Sequence, residues 1–269
     1  MSKKILIAGA GPAGLMAMWA CLNYGYEAVL MDVKPKFSAK PPINAGVFIL
    51  HDPCDLPLRK KKVTIFAGGA HDIGLRQAYS VKVYGKPDIN VSIPNARLSH
   101  MTAYDGAQAI DLLWDIAETS GAYQQTGAAG FGSYADIGET AEALGCEAAI
   151  CTIPMPKLIY RNYSVQTVYV KESTAPPDEA YIIYNAHPQV EWYRCSAVFG
   201  RFSMEAVNPE NKFGWTSINK VIGFRDRETI PNRNDPALLL TGRQGAWDKK
   251  KLVHDSYYDT IAWLTTHHR

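Results

Sequence analysis

The tightest constraint on this chain is the passage from the apolar run Ile5-Leu6-Ile7-Ala8 into Gly9-Ala10-Gly11-Pro12-Ala13-Gly14. A strand that ends in Gly-x-Gly-x-x-Gly and turns at once into a helix specifies a βαβ unit built around a phosphate. Gly9 permits the tight turn, Gly11 lets the backbone approach a pyrophosphate, and Gly14 lets the helix pack close to the strand. The helix, read from about Gly11 to Tyr24, then presents unpaired N–H groups and a partial positive charge to the anion, with no basic side chain required. Gly25 stops it, and Ala28-Val29-Leu30-Met31 forms a second strand that ends at Asp32. Asp32 stands at about the 20-residue spacing from which a carboxylate binds ribose hydroxyls.

The remaining pattern alternates between two kinds of sheet. Pro35 to Pro57 reads as an irregular segment holding one apolar run, Gly46-Val47-Phe48-Ile49-Leu50-His51. Val63 to Phe66 and the alternating stretch Ala78 to Tyr84 read as strands, and a helix is predicted from about Asp105 to Thr119. Ala148 to Ile153 is almost wholly apolar, as a parallel strand covered on both faces would be, and Pro154 stops it. Ser164 to Val170, Ala180 to Tyr184 and Val190 to Phe202 read as antiparallel strands. Ala237 to Thr241 is again a buried strand, followed by a helix from about Lys250 to Leu264.

The expected fold is therefore α/β: a Rossmann-like nucleotide-binding domain with a parallel sheet, formed by residues 1–62, 98–160 and 232–269. A smaller, mainly antiparallel β lobe, residues 63–97 and 161–231, would face the substrate. With 269 residues, 47% of them hydrophobic and 20% charged, the chain has the composition of an ordinary globular protein. A balance of 28 basic against 26 acidic residues implies no polyanionic partner by itself. The local runs Arg59-Lys60-Lys61-Lys62 and Lys249-Lys250-Lys251 read first as solvated faces and still permit a phosphate or DNA contact. Five scattered cysteines lack any CxxC spacing, and His267-His268 lacks a ligand partner at suitable spacing, so no metal is expected. Ser2-Lys3-Lys4 leads directly into a strand too short for a secretory or membrane segment, so a cytoplasmic location and no membrane partner are expected.

Gly9-Ala10-Gly11-Pro12-Ala13-Gly14 resembles the flavoprotein version of the fingerprint, which makes FAD the expected cofactor. Four further segments resemble UDP-galactopyranose mutases and their amine-oxidase-like flavoprotein relatives. Gly46 to His51 is similar to the stretch that passes the flavin ring, and Cys151-Thr152-Ile153-Pro154-Met155-Pro156 to the strand end that returns to the cofactor. Glu191-Trp192-Tyr193-Arg194, with Phe199 and Phe202, is similar to a strand of the substrate lobe. Leu240-Thr241-Gly242-Arg243-Gln244-Gly245-Ala246-Trp247 resembles the late Gly-Arg turn that contacts the pyrophosphate or isoalloxazine. The resemblance implies cofactor contacts from Gly9, Gly11, Pro12, Ala13, Gly14, Asp32, Gly46, Val47, Thr152, Gly242, Arg243 and Gln244.

A flavin performs the electron transfer itself, so few catalytic side chains need be visible. His51 is the candidate proton shuttle or ring contact, the alternative being a structural histidine bonded to backbone. Arg243 suits a guanidinium on the pyrophosphate or flavin, against a surface ion pair. Tyr79, Tyr84, Trp192, Tyr193 and Arg194 are candidates for a pocket in the β lobe, each also fitting core or surface. Four functions remain open. The leading one is an FAD-dependent oxidoreductase acting on a C–N bond of an amine or amino-acid-like small molecule. A special case is a flavin lyase or oxidase acting on an amino-acid-modified nucleobase in phage DNA. The others are a UDP-sugar mutase-like isomerase and a flavin-binding protein without catalysis. Substrate, electron acceptor and oligomeric state are left open.

Overall fold

The computed structural model describes residues 3–34, 48–69, 74–86, 93, 97–127, 130–159, 165–221, 235–246, 248 and 251–267. The apolar run at the start becomes β1 (Lys4–Ala8), Pro12 opens α1 (Pro12–Asn23), and β2 (Glu27–Asp32) returns parallel to β1. β6 (Tyr123–Gln125) extends the sheet beyond β2, while β7 (Ala148–Cys151) and β13 (Leu238–Leu240) extend it beyond β1. The spatial order is β13-β7-β1-β2-β6, and every pairing is parallel.

Both faces of this sheet are covered, which is why its strands read as continuous apolar runs. Ile5 and Ile7 point to a core shared with α1, with α3 (Gly106–Thr119) through Leu113 and Trp114, and with α7 (Asp255–His267) through Tyr257, Trp263 and Leu264. Leu6 and Ala8 point the other way, onto Tyr134, Ile137 and Ala141 of α4 (Tyr134–Ala143) and onto Met155 and Leu158 of α5 (Met155–Ile159). α3 starts where Asp105 accepts hydrogen bonds from the Ala107 and Gln108 amides, and α4 starts with a capping box between Ser133 and Asp136.

A second sheet has eight strands in the order β12-β8-β11-β10-β9-β4-β5-β3. These are β3 (Ile49–Leu50), β4 (Lys60–Gly68), β5 (Leu98–Asp105), β8 (Val165–Thr174), β9 (Tyr181–Asn185), β10 (Trp192–Val198), β11 (Arg201–Ala206) and β12 (Thr216–Val221). Neighbours run antiparallel except β4 and β9, which pair parallel. The fold is thus α/β, with a doubly wound parallel sheet beside a mixed, mainly antiparallel one.

Two sequence expectations are corrected here. Ala78 to Tyr84 is not a strand but part of a helix, α2 (Leu75–Tyr84), closed by Gly85 at φ 72. Its buried residues Tyr79, Ser80 and Val83 follow helical spacing, and the Tyr79 ring meets Tyr184 and Tyr193 edge-on at 5.7 and 6.0 Å. Val190 to Phe202 is a hairpin rather than one extended run, because Phe199 and Gly200 both take positive φ (56 and 78). That pair of left-handed residues forms the two-residue turn that matches strand twist.

Candidate functional site

The carboxyl ends of β1, β2 and β7 open onto a cleft of about 1020 Å³, whose far wall is supplied by the second sheet. The glycine turn forms one edge. Gly9 takes φ 102, and its amide donates to the Met31 carbonyl at 2.8 Å. A side chain at Gly14 would place its Cβ 1.8 Å from the Gly9 carbonyl oxygen, so α1 sits against the strand end at a distance only glycine allows. Around Gly11, by contrast, no atom of the other described residues beyond its chain neighbours and its own helix lies within 4 Å of where a Cβ would be. α1 begins at Gly11 without a side-chain cap and has no acidic residue in its first turn. Its N-terminal donors are therefore left for an anion in the cleft.

Asp32, at the end of β2, closes the loop from behind: its Oδ2 accepts from the Ala10 amide at 3.0 Å and its Oδ1 from the Lys34 amide at 3.3 Å. Thr152, just past β7, donates its hydroxyl to the Ala8 and Gly9 carbonyls at 3.2 and 3.1 Å. The far end of the chain arrives at the same place. Gly242, at φ 72, opens the short turn of helix α6 (Gly242–Gly245), and a Cβ there would come 2.7 Å from that of Ala13. A Cβ on Gly245 would come 2.5 Å from the Cys151 carbonyl oxygen. Arg243 donates from Nε to the Lys251 carbonyl at 3.1 Å and is exposed at the cleft. No ion pair of Arg243 occurs among the described residues.

Of the residues expected from sequence, Gly9, Gly11, Pro12, Ala13, Asp32, His51, Thr152, Gly242 and Arg243 all line this one cleft. Gly14 lies behind it as the packing glycine. Gln244 belongs to α6, and Gly46 and Val47 lie outside the described residues, as do Lys249, Lys250 and His268. Arg59 is paired with Asp105, and Lys61 donates to the Pro177 carbonyl.

His51 follows β3 at the rim, its ring 5.7 Å from that of His254. Although exposed at the rim, the ring is partly shielded from water by the cleft walls. That desolvation, and then the neighbouring His254, hold its pKa below the usual 6.5, with Asp255 opposing. His254 and Lys157 also line the cleft and were not singled out in the sequence, whereas Phe48 and Lys251, which line it too, stood there only as members of an apolar run and a basic run. His254 follows a lysine run and precedes a helix, a context that carries no chemical signature. Among the β-lobe candidates, Arg194 lines the cleft, whereas Tyr79 and Tyr193 are buried beneath it in the core.

No family model matches the sequence, and no curated protein matches it. Solved structures with a similar arrangement include 2-methyl-3-hydroxypyridine-5-carboxylic acid oxygenase, at 12% identity over 99% of this chain and 87% of that one, with a TM-score of 0.49. A flavin-dependent halogenase from Xanthomonas campestris matches at 9% identity over 99% and 71%, with a TM-score of 0.48. Iminodiacetate oxidase from Chelativorans sp. BNC1 matches at 11% identity over 97% and 95%, with a TM-score of 0.47. Among the described residues no helix is long and apolar enough to cross a membrane.

Proposed function

We propose that the cleft holds FAD and that the protein is an FAD-dependent oxidoreductase acting on a C–N bond of an amine or amino-acid-like small molecule. The observation that carries this reading is convergence. The glycine turn, Asp32, His51, Thr152 and the Gly242-Arg243 turn come from sequence-distant segments and border one cleft. Its volume of about 1020 Å³ lies at the top of the roughly 300–1,000 Å³ usual for ligand pockets, which suits a dinucleotide together with a substrate. The cradle also fits the group, since Gly9, Gly14 and Gly242 each occupy a place where a Cβ would collide with backbone or with Ala13 or Thr152. A late turn packed on the phosphate loop through Gly242 and Ala13 supports the second nucleotide contact expected of the flavoprotein version of the motif.

In this reading the α1 N-terminus and the Gly11 backbone would hold the pyrophosphate, Asp32 would border the adenosine ribose, and Arg243 would supply a cation beside the late turn. Bound FAD would supply a two-electron acceptor. His51 is neutral near pH 7 because its pKa is held below 6.5, so a ring nitrogen accepts the proton that an ammonium substrate must lose before oxidation. The apolar wall of the second sheet excludes water from the reacting carbon. The isomerase, modified-nucleobase and non-catalytic readings draw no specific observation from the described residues.

The test is an absorption spectrum of the purified protein followed by mass analysis of the released cofactor. About one FAD per chain, bleached anaerobically by an amine substrate, is the expected result. A colourless protein that does not take up added FAD would overturn the reading.

A further inference from the structure

The wall contributed by the second sheet is mainly apolar, and among its described residues one side chain carries a charge. Ile65 on β4, Ile182 and Tyr184 on β9, and Arg194 and Ser196 on β10 all face the cleft. They are cross-strand neighbours: Ile65 pairs with Ile182, Ile182 with Ser196, and Tyr184 with Arg194. A guanidinium on such a surface needs a reason, because a charge that leaves water must be paired and hydrogen-bonded.

Part of the reason is internal. Arg194 Nη2 is ion-paired with Glu205, its register partner on β11, which is itself 2% exposed. The second Glu205 oxygen accepts from the Tyr193 hydroxyl at 2.5 Å. The ladder slips between Trp192 and Arg194, and a bulge of this kind re-aims neighbouring side chains. Burial opposes the charge on Arg194, but Glu205 more than offsets it and the guanidinium stays protonated. The pairing does not satisfy the whole fork. Nε is buried and has no hydrogen-bond partner among the described residues. The side chain keeps 30% of its surface exposed, and it is that part, not the buried Nε, that a ligand in the cleft can reach.

We propose that Arg194 anchors a substrate carboxylate: the molecule turned over in this cleft carries a carboxylate that docks on this guanidinium, with its carbon body against Ile65 and Ile182. The proposal rests on the flavin reading and names the substrate class for the same site. Arginine suits the task because its rigid fork matches a planar carboxylate, whereas a lysine would offer a point charge. Glu205 and Tyr193 are positioning residues that fix the fork from behind.

Isothermal calorimetry on the purified protein decides it. The probes are benzoate, acetate and N-methylglycine, each set against its primary amide. At least one carboxylate should bind about tenfold more tightly than its amide and perturb the flavin absorption band, and Arg194→Lys should lose about that factor while keeping its FAD content. If every carboxylate binds no better than its amide, or if Arg194→Lys binds carboxylate as the parent does, the proposal falls. Should Arg194→Lys fail to fold, the Arg194→Met/Glu205→Gln pair, which removes both charges together, carries the same comparison. Should neither fold, the carboxylate–amide preference of the parent protein decides. Failure of the flavin reading is separate, because it appears as a protein without FAD whether or not calorimetry finds a carboxylate preference.

Discussion

Gly11 and Gly14 stand in one motif, yet the structure gives them different work, and their substitutions should separate it. A Cβ at Gly14 would lie 1.8 Å from the Gly9 carbonyl oxygen, so Gly14→Ala must push α1 off the strand end. Gly11 has φ −71, lines the cleft, and has no other described residue crowding a Cβ position, so alanine fits the fold. Gly14→Ala should therefore lose both flavin and melting temperature. Gly11→Ala should melt like the parent apoprotein and lose flavin alone, as flavin stoichiometry and calorimetry will tell. Asp32 offers a third test at this scale. Replacing it with alanine should weaken FAD binding by about 1.5–3 kcal/mol, the range for hydrogen bonds to a charged group, read as a change in Kd by fluorescence titration. An unchanged Kd would mean that Asp32 serves only the Ala10 and Lys34 amides. The glycines and Asp32 were legible in the sequence because their roles are backbone roles at fixed local offsets. Arg194 was legible only as one of several side chains in a strand, since what singles it out, Glu205 behind it and the slip at Tyr193, is a relation between two strands.

At the scale of elements, the buried parallel strands and the helices α1 and α3 could be read from apolar runs and 3.6-residue periodicity, because both follow from burial of the element itself. α2 could not. Ala78-Tyr79-Ser80-Val81-Lys82-Val83-Tyr84 alternates like a strand, and the helix wins through tertiary contacts. Tyr79 packs against two tyrosine rings, and Lys82 donates to the His187 and Trp192 carbonyls at 2.8 and 2.7 Å. The meeting of His51 and His254 was equally invisible, since one follows β3 and the other precedes α7. Burial of the His51 ring, and then its neighbour His254, lower its pKa. His51 binds its proton less readily folded than unfolded, so below pH 6.5 the unfolded chain holds more protons. Its contribution to stability is therefore whole above that pH and is lost as the pH falls through the window beneath it. Melting temperature should decline on acidification from pH 7.5 to 5.5, and His51→Gln should decline less. Parallel curves for the two proteins would show that His51 does not carry the pH dependence.

For the whole molecule, the consequential fact is where the cleft lies. One side is the carboxyl edge of a five-stranded parallel sheet, the other the face of an eight-stranded sheet with its own cores, and residues of both border the same space. The strand order β13-β7-β1-β2-β6 puts the nucleotide turn beside the point where the connections from the adjacent strands β1 and β7 lead to opposite sides, the usual ligand position in open α/β sheets. A cofactor spanning the cleft touches both sheets only in the folded state, so its binding energy adds to the stability of the entire chain. At a hundredfold excess of FAD over Kd this amounts to about 2.7 kcal/mol. For a chain of this size each kcal/mol raises the midpoint by roughly 2–4 °C, so holoprotein should melt roughly 5–11 °C above protein stripped of flavin. The shift should grow with FAD concentration, and hydrogen exchange should slow on both sides of the cleft, in β1–α1 and in β9–β10 alike. An FAD-independent melting temperature, or protection confined to β1–α1, would mean that the ligand of the glycine turn does not reach the second sheet.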